Sequence, residues 1–222
     1  MQNLPDTTAA ATKWGDIGDW DVSDVTDFSR AFSQDRNKAG AYTSSVLNVK
    51  SFIGTAISKW TTTAATSLSS MFYGAHTMNV DLSGWIVSRV TTMDDTFNDC
   101  RAFEGVGLNL WTLTSVATMR MTFAGTCEFN VDLGGWDTSN VMDMTSMFSN
   151  AVANKGDGLE NWDVAKVSAM ANMFTNTLAM TSCNKRRIAD AWKDLPATNY
   201  VKDWAGDTCP VRTSRCARTH CE

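Results

Sequence analysis

Two histidines, His76 and His220, are the only imidazoles in 222 residues. Neither has a Ser or Cys at a spacing that suggests a nucleophile–base pair, so the chain is not expected to be an enzyme. Carboxylates are more plentiful. Asp19, Asp21, Asp24 and Asp27 cluster, and the pair Asn79/Asp81 recurs as Asn130/Asp132. Calcium wants about six to eight oxygens, but no loop here runs Asp-x-Asp-x-Asp-Gly, so caps and turns are the simpler role. The tail holds Cys209, Cys216, His220 and Cys221, enough donors for a tetrahedral zinc site. Their spacing matches no zinc knuckle, and disulfides are the better reading. No metal and no cofactor is expected.

The elements that must position these residues are repeats. Trp60, Trp85, Trp111, Trp136 and Trp162 recur every 25 or 26 residues, and Trp20 belongs to the series 40 residues before Trp60. Three residues before each Trp stands an aliphatic residue: Ile17, Ile57, Leu82, Leu108, Leu133, Leu159. Five after it come Val25, Ala65, Val90, Val116, Val141 and Val167, and eight after it Phe28, Leu68, Met93, Met119, Met144 and Met170. Twelve after it is always Phe: Phe32, Phe72, Phe97, Phe123, Phe148, Phe174. A fixed period of this length marks stacked repeats, each burying an apolar face on its neighbours. The Met column reads as core.

Within a unit the Trp and the residue two after it resemble the start of a leucine-rich repeat, with a short strand. A capping Ser or Thr follows, as at Ser139, and then Val141, Met144, Met147/Phe148 and Ala151 at helical spacing. The expected fold is therefore α/β: a right-handed leucine-rich-repeat-like solenoid of about six turns with a helical, disulfide-bonded C-terminal cap. Residues 1–19 form a lead-in and 20–177 the repeats, with an insertion at about 33–47; residues 178–222 form the cap and Cys-rich tail. Ile188, Trp192 and Leu195 predict an amphipathic cap helix, with Thr181 or Ser182 at its start and Pro196 ending it.

Cys100 and Cys127 follow Phe97 and Phe123 by three and four residues, nearly the same place on consecutive turns. Rungs about 4.8 Å apart suit the roughly 4.4–6.8 Å between the Cα atoms of a disulfide, which predicts a Cys100–Cys127 bridge. Cys183 and Cys209 bracket the cap helix and predict a second; Cys216 and Cys221 remain for a third. That many bridges points to an oxidising, extracellular or lumenal setting, although no signal peptide is visible at Met1 and the true precursor N-terminus is expected to lie outside the chain.

Trp-Asp-Val-Ser-x-Val-Thr, then Met-Phe, then Phe129-Asn-Val-Asp-Leu133, resembles the BspA-type bacterial surface-protein repeat. The resemblance runs over Trp20–Phe32, Trp85–Phe97, Trp136–Phe148 and Trp162–Phe174, and Cys183 to Cys209 looks like that family's C-terminal cap. Trp60-Thr-Thr-Thr departs from it by lacking the Asp. The resemblance implies a secreted or surface-displayed interaction module and offers no catalytic residues.

Charge narrows the partners. Residues 181–222 carry +3 and the rest of the chain −8, so the repeats lack the basic stripe that nucleic acid needs. No apolar run is long enough for a membrane span. If each Trp points inward, the residue after it points out: Asp21, Thr61, Ile86, Thr112, Asp137 and Asp163 form a possible interaction strip. The expected function is non-enzymatic: a protein- or glycan-interaction or adhesion module, secreted, on the cell surface or an accessory subunit of a larger assembly. Ice or mineral-surface binding is the alternative, weakened because only Thr61 and Thr112 in the strip are threonines. An uncharacterised enzyme is the least favoured reading.

Overall fold

The computed structural model describes residues 12, 15–35, 49–193 and 204. Its six units, numbered by their tryptophans from Trp20 to Trp162, lie one on another through an unusual backbone ladder. In each unit the N–H groups eight, ten, twelve and fourteen residues after the Trp donate to the next unit. Met93, Asp95, Phe97 and Asp99 thus reach the carbonyls of Thr118, Arg120, Thr122 and Ala124 at 2.7–3.0 Å. The same four bonds recur at every step from unit 1 to unit 6. The N–H groups between them close turns inside the unit, as Thr96 to Met93 and Asn98 to Asp95, each at 3.1 Å.

This overturns the expected α/β leucine-rich-like solenoid. Among the described residues there is no β-sheet. Only isolated parallel bridges link the units, Asp27 to Ser67, Ser67 to Thr92, Thr92 to Thr118, Thr118 to Asp143 and Asp143 to Ala169. The expected helices after Ser139 and its equivalents are absent too; the segment is a run of turns. The reason is local. Ten residues after each Trp the backbone is left-handed, with φ between +50° and +60° at Arg30, Ser70, Asp95, Met121, Ser146 and Asn172. Left-handed φ repeats four residues later at Gly74, Asp99, Gly125, Asn150 and Asn176. A residue of that hand stops both an extended strand and a right-handed helix. The chain curls instead, sending alternate N–H groups to the neighbouring unit.

The apolar columns meet inside the stack. Phe72, Phe97, Phe123 and Phe148 are fully buried, and neighbouring rings in that column lie 5.5–5.8 Å apart from Phe32 to Phe174. Trp60, Trp85 and Trp111 stack at 6.5 Å, and Trp136 on Trp162 at 6.2 Å. A third column, six residues after the Phe, was visible in the sequence only as loop. Phe103 packs on Phe97 at 4.4 Å and Phe129 on Phe123 at 4.2 Å. Phe52, just after the insertion, does the same to Phe32 at 4.4 Å. Most of the insertion, 36–47, lies outside the described residues. Trp20 is 45% exposed.

The repeat indoles of units 2 to 6 each also make one hydrogen bond to the unit before them. Trp85 Nε1 donates to the Ile57 carbonyl, Trp111 to Leu82, Trp136 to Leu108 and Trp162 to Leu133, at 2.7–3.1 Å. That bond explains why the column is Trp and not Phe: the carbonyl already accepts the backbone N–H three residues on, as Leu108 does from Trp111 at 3.1 Å, and the indole adds a second donor from the next unit. Trp136→Phe is accordingly expected to lower unfolding stability by about 0.5–1.5 kcal/mol, the net value of one hydrogen bond, read from urea midpoints at unchanged slope.

One helix closes the stack, α1 (Ser182–Trp192), capped by Thr181, whose hydroxyl accepts from Asn184 N. Ile188 and Trp192 are buried, and Trp192 stacks on Phe174 at 6.3 Å. Asn184 Nδ2 donates to the Lys155 carbonyl at 2.7 Å and to Asp157 at 2.8 Å, while Arg187 pairs with Glu160 at 3.2 Å. These bonds seat the helix on unit 6. Of the expected disulfide-bonded cap, Cys183 is disulfide-bonded, while Cys209, Cys216 and Cys221, with Leu195 and Pro196, lie outside the described residues.

Candidate functional site

Asp21, Thr61, Ile86, Thr112, Asp137 and Asp163 are all exposed, one per unit, and the residues one further along are buried. Two of those buried neighbours tie the strip together. Thr62 donates to the Ile86 carbonyl at 3.1 Å and accepts from Ile86 N at 2.9 Å, and Thr138 donates to the Asp163 carbonyl at 2.9 Å. The strip carboxylates are partly occupied locally. Asp21 accepts from Ser23 N, Asp137 from Ser139 N and Asp163 from Ala165 N, each at 3.0 Å and each through Oδ1. Such Asx turns are the role of most repeated aspartates here; Asp81, Asp132 and Asp143 do the same. Hydrogen bonds from the Ser side chain and backbone two residues on hold Asp21 and Asp137 below the usual carboxylate range.

Beside the strip, on units 4 to 6, lies an open cleft of about 410 Å³ lined by Asn109, Val131, Asp132, Gly134, Gly135 and Asn161. Gly134 is needed by packing: a Cβ there would lie 2.9 Å from both Gly158 Cα and the Asn161 amide nitrogen. Gly135 is not, since a Cβ there would meet nothing within 4 Å. Asp132 Oδ1 accepts from Gly134 N at 2.8 Å. The apolar residues Ile86, on unit 3, and Leu110, on unit 4, are 52% and 64% exposed.

Comparison with known families matches the description "Mycoplasma protein of unknown function, DUF285" three times in overlapping stretches, residues 2–106, 40–157 and 100–194. The chain belongs to that family. No curated protein and no solved structure matches it. The overlapping matches accord with a repeat protein, and the DUF285 description names no ligand and no chemistry.

Elsewhere on this DUF285 chain the ladder assembles groups that are far apart in sequence. His76, Arg101 and Cys127 stand sixteen residues after their tryptophans, so they occupy one column on units 2, 3 and 4. Asp99 joins the first two: its Oδ2 lies 2.8 Å from His76 Nε2 and its Oδ1 accepts from Arg101 Nε at 2.8 Å. Burial alone would raise the Asp99 pKa, but the Arg101 and His76 hydrogen bonds outweigh it and leave it lowered. Through the His76 bond this carboxylate ties unit 2 to unit 3. Among the described residues no three His, Cys, Asp or Glu side chains converge as a metal site, and no helix is long and apolar enough to cross a membrane.

The Cys100–Cys127 bridge does not form; both thiols are free. One residue of register separates them. Cys100 stands fifteen residues after its Trp, in the inward column that holds Ala75 on unit 2 and Thr126 on unit 4. It is fully buried and its thiol donates to the Phe72 carbonyl at 3.0 Å. Cys127 is the next residue round the turn and half-buried. Cys183 is disulfide-bonded, and the cysteines expected to pair with it or with each other lie outside the described residues. Burial pushes the Cys100 thiol well above its usual pKa, and the thiolate is the reactive form. Iodoacetamide on native protein is therefore expected to label Cys127 and to spare Cys100 until denaturant is added, as read by peptide mass spectrometry.

Proposed function

We propose that this chain is a non-enzymatic binding module that engages a protein or glycan partner through its strip and the adjoining cleft. The observation that carries the reading is the strip itself: one exposed side chain per unit, in register over six units, backed by a rigid stack. Regular arrays of this kind give an extended surface whose chemistry changes from rung to rung without disturbing the core. The mixture of Asp, Thr and Ile suits a partner with polar and apolar groups better than a crystal plane, and the acidic repeats disfavour polyanions. The kinship to BspA-type repeats, and display outside the cell or at its surface, belong to the same proposal. They rest on the Trp-Asp-Val-Ser motifs and on the DUF285 match.

The test is saturable binding of the labelled chain to arrays of immobilised glycans and extracellular proteins. The triple variant Thr112→Lys, Asp137→Lys, Asp163→Lys should lose that binding while remaining folded, its melting temperature lowered only by the loss of the Asx-turn bonds at Asp137 and Asp163. Undiminished binding by the triple variant, or none by the native chain, would overturn the proposal.

A further inference from the structure

The cleft on units 4 to 6 contains polar groups that the fold does not use. Most described asparagine side chains are structural. Asn79 bonds Glu104, Asn98 bonds Asp95, Asn130 accepts from Lys155 N, and Asn140 donates to the Thr114 carbonyl. Asn109 and Asn161 are exposed and make no side-chain hydrogen bond among the described residues, yet both face the cleft. Between them Asp132 commits Oδ1 to Gly134 N, which leaves Oδ2 available. Gly135 lacks a positive φ and would meet no neighbour with a Cβ added, so neither strain nor packing explains a glycine there. Its effect is to keep the cleft floor low. Val131 supplies one apolar wall.

From this set we propose that the cleft binds a neutral saccharide of about two rings. This rests on the interaction reading above and narrows it to one ligand class. Sugar hydroxyls both donate and accept, and a carboxylate oxygen between two primary amides offers both partners. The amides stand on units 4 and 6, two rungs apart, and equivalent rings of neighbouring units lie 5.5–6.5 Å apart, so the span between them is the reach of a disaccharide. The volume lies in the range of small-ligand sites, roughly 300–1,000 Å³. The cleft lining carries no Lys or Arg, so an anionic sugar has no counter-charge there.

The experiment titrates lactose, maltose, cellobiose and chitobiose into the whole isotope-labelled chain and follows amide NMR signals. At least one sugar should shift the Asn109 and Asn161 side-chain amides with Gly134 and Gly135, saturably. Asn161→Ala should weaken that sugar by about tenfold or more, and Gly135→Leu, in open space, should block the cleft without lowering the melting temperature. Silence from all four sugars, shifts elsewhere only, or unchanged affinity in both variants would overturn the proposal. If the array experiment still shows binding that depends on Thr112, Asp137 and Asp163, the interaction reading survives while the saccharide cleft falls.

Discussion

Replacing Phe123 with Ala is expected to lower the unfolding free energy by about 3–5 kcal/mol. The ring is fully buried and touches four others: Phe97 at 5.5 Å, Phe148 at 5.6 Å, Phe129 at 4.2 Å and Trp136 at 6.0 Å. Removing it leaves a cavity in the middle of a column whose neighbours are held by the backbone ladder. Met121, Phe123 and Gly125 N–H groups remain bonded to unit 5, so the walls have little freedom to collapse. Phe32, half-buried at the end of the column, is expected to cost less when truncated. In a one-dimensional stack the loss at Phe123 concentrates in units 3 to 5. Urea unfolding followed by Trp emission measures the total, and hydrogen exchange maps its spread. A loss no larger than that of Phe32→Ala would mean that the column is not the core.

The second large effect belongs to Gly107, whose replacement by Ala is expected to cost about 2–5 kcal/mol. Two terms add. The backbone there is left-handed, φ +88°, which costs a residue with a Cβ roughly 1–2 kcal/mol. The new methyl would also lie 2.2 Å from Ser83 N and 2.6 Å from Ser83 Cα, and such overpacking adds roughly 1–3 kcal/mol. Those atoms are backbone of the preceding unit and cannot rotate away, so units 3 and 4 must part. Gly15 is the internal control. Its φ is +75°, but a Cβ there meets nothing within 4 Å, so Gly15→Ala carries only the conformational term. Equal melting temperatures for the two variants would contradict the close approach at Gly107.

The sequence carried the columns clearly, because a Phe or Trp that stacks on its own equivalent leaves a mark at every period. It did not carry the backbone between them. Val141, Met144, Met147, Phe148 and Ala151 are spaced like one face of a helix, and all five are buried. The spacing arises from consecutive turns, closed by Met147 N to the Met144 carbonyl and Ala151 N to Phe148, which bring the chain round about as often as a helix does. The contrary signal was present fourteen residues after the Trp, where Gly74, Asp99, Gly125, Asn150 and Asn176 are residue types that tolerate left-handed φ. The other left-handed column includes Arg30 and Met121, which hid it. The bridge proposed for Cys100 and Cys127 failed for a related reason: in a tightly turning chain, one residue of register decides between core and surface. The exposure of the strip goes with a buried Trp on units 2 to 6 but not on unit 1, where Trp20 is itself 45% exposed, whereas the cleft depends on which asparagines the fold leaves unused, and that is not written in their spacing.

The most direct test of the central claim, in-register units joined by turns instead of helices, is NMR of methyl-labelled methionine. The structure predicts contacts from Met93 to Met119 and from Met119 to Met144, and backbone couplings at Ser146 and Asn172 that report positive φ. Helical contacts three and four residues apart along 139–151, with no contacts between equivalent methionines, would contradict it.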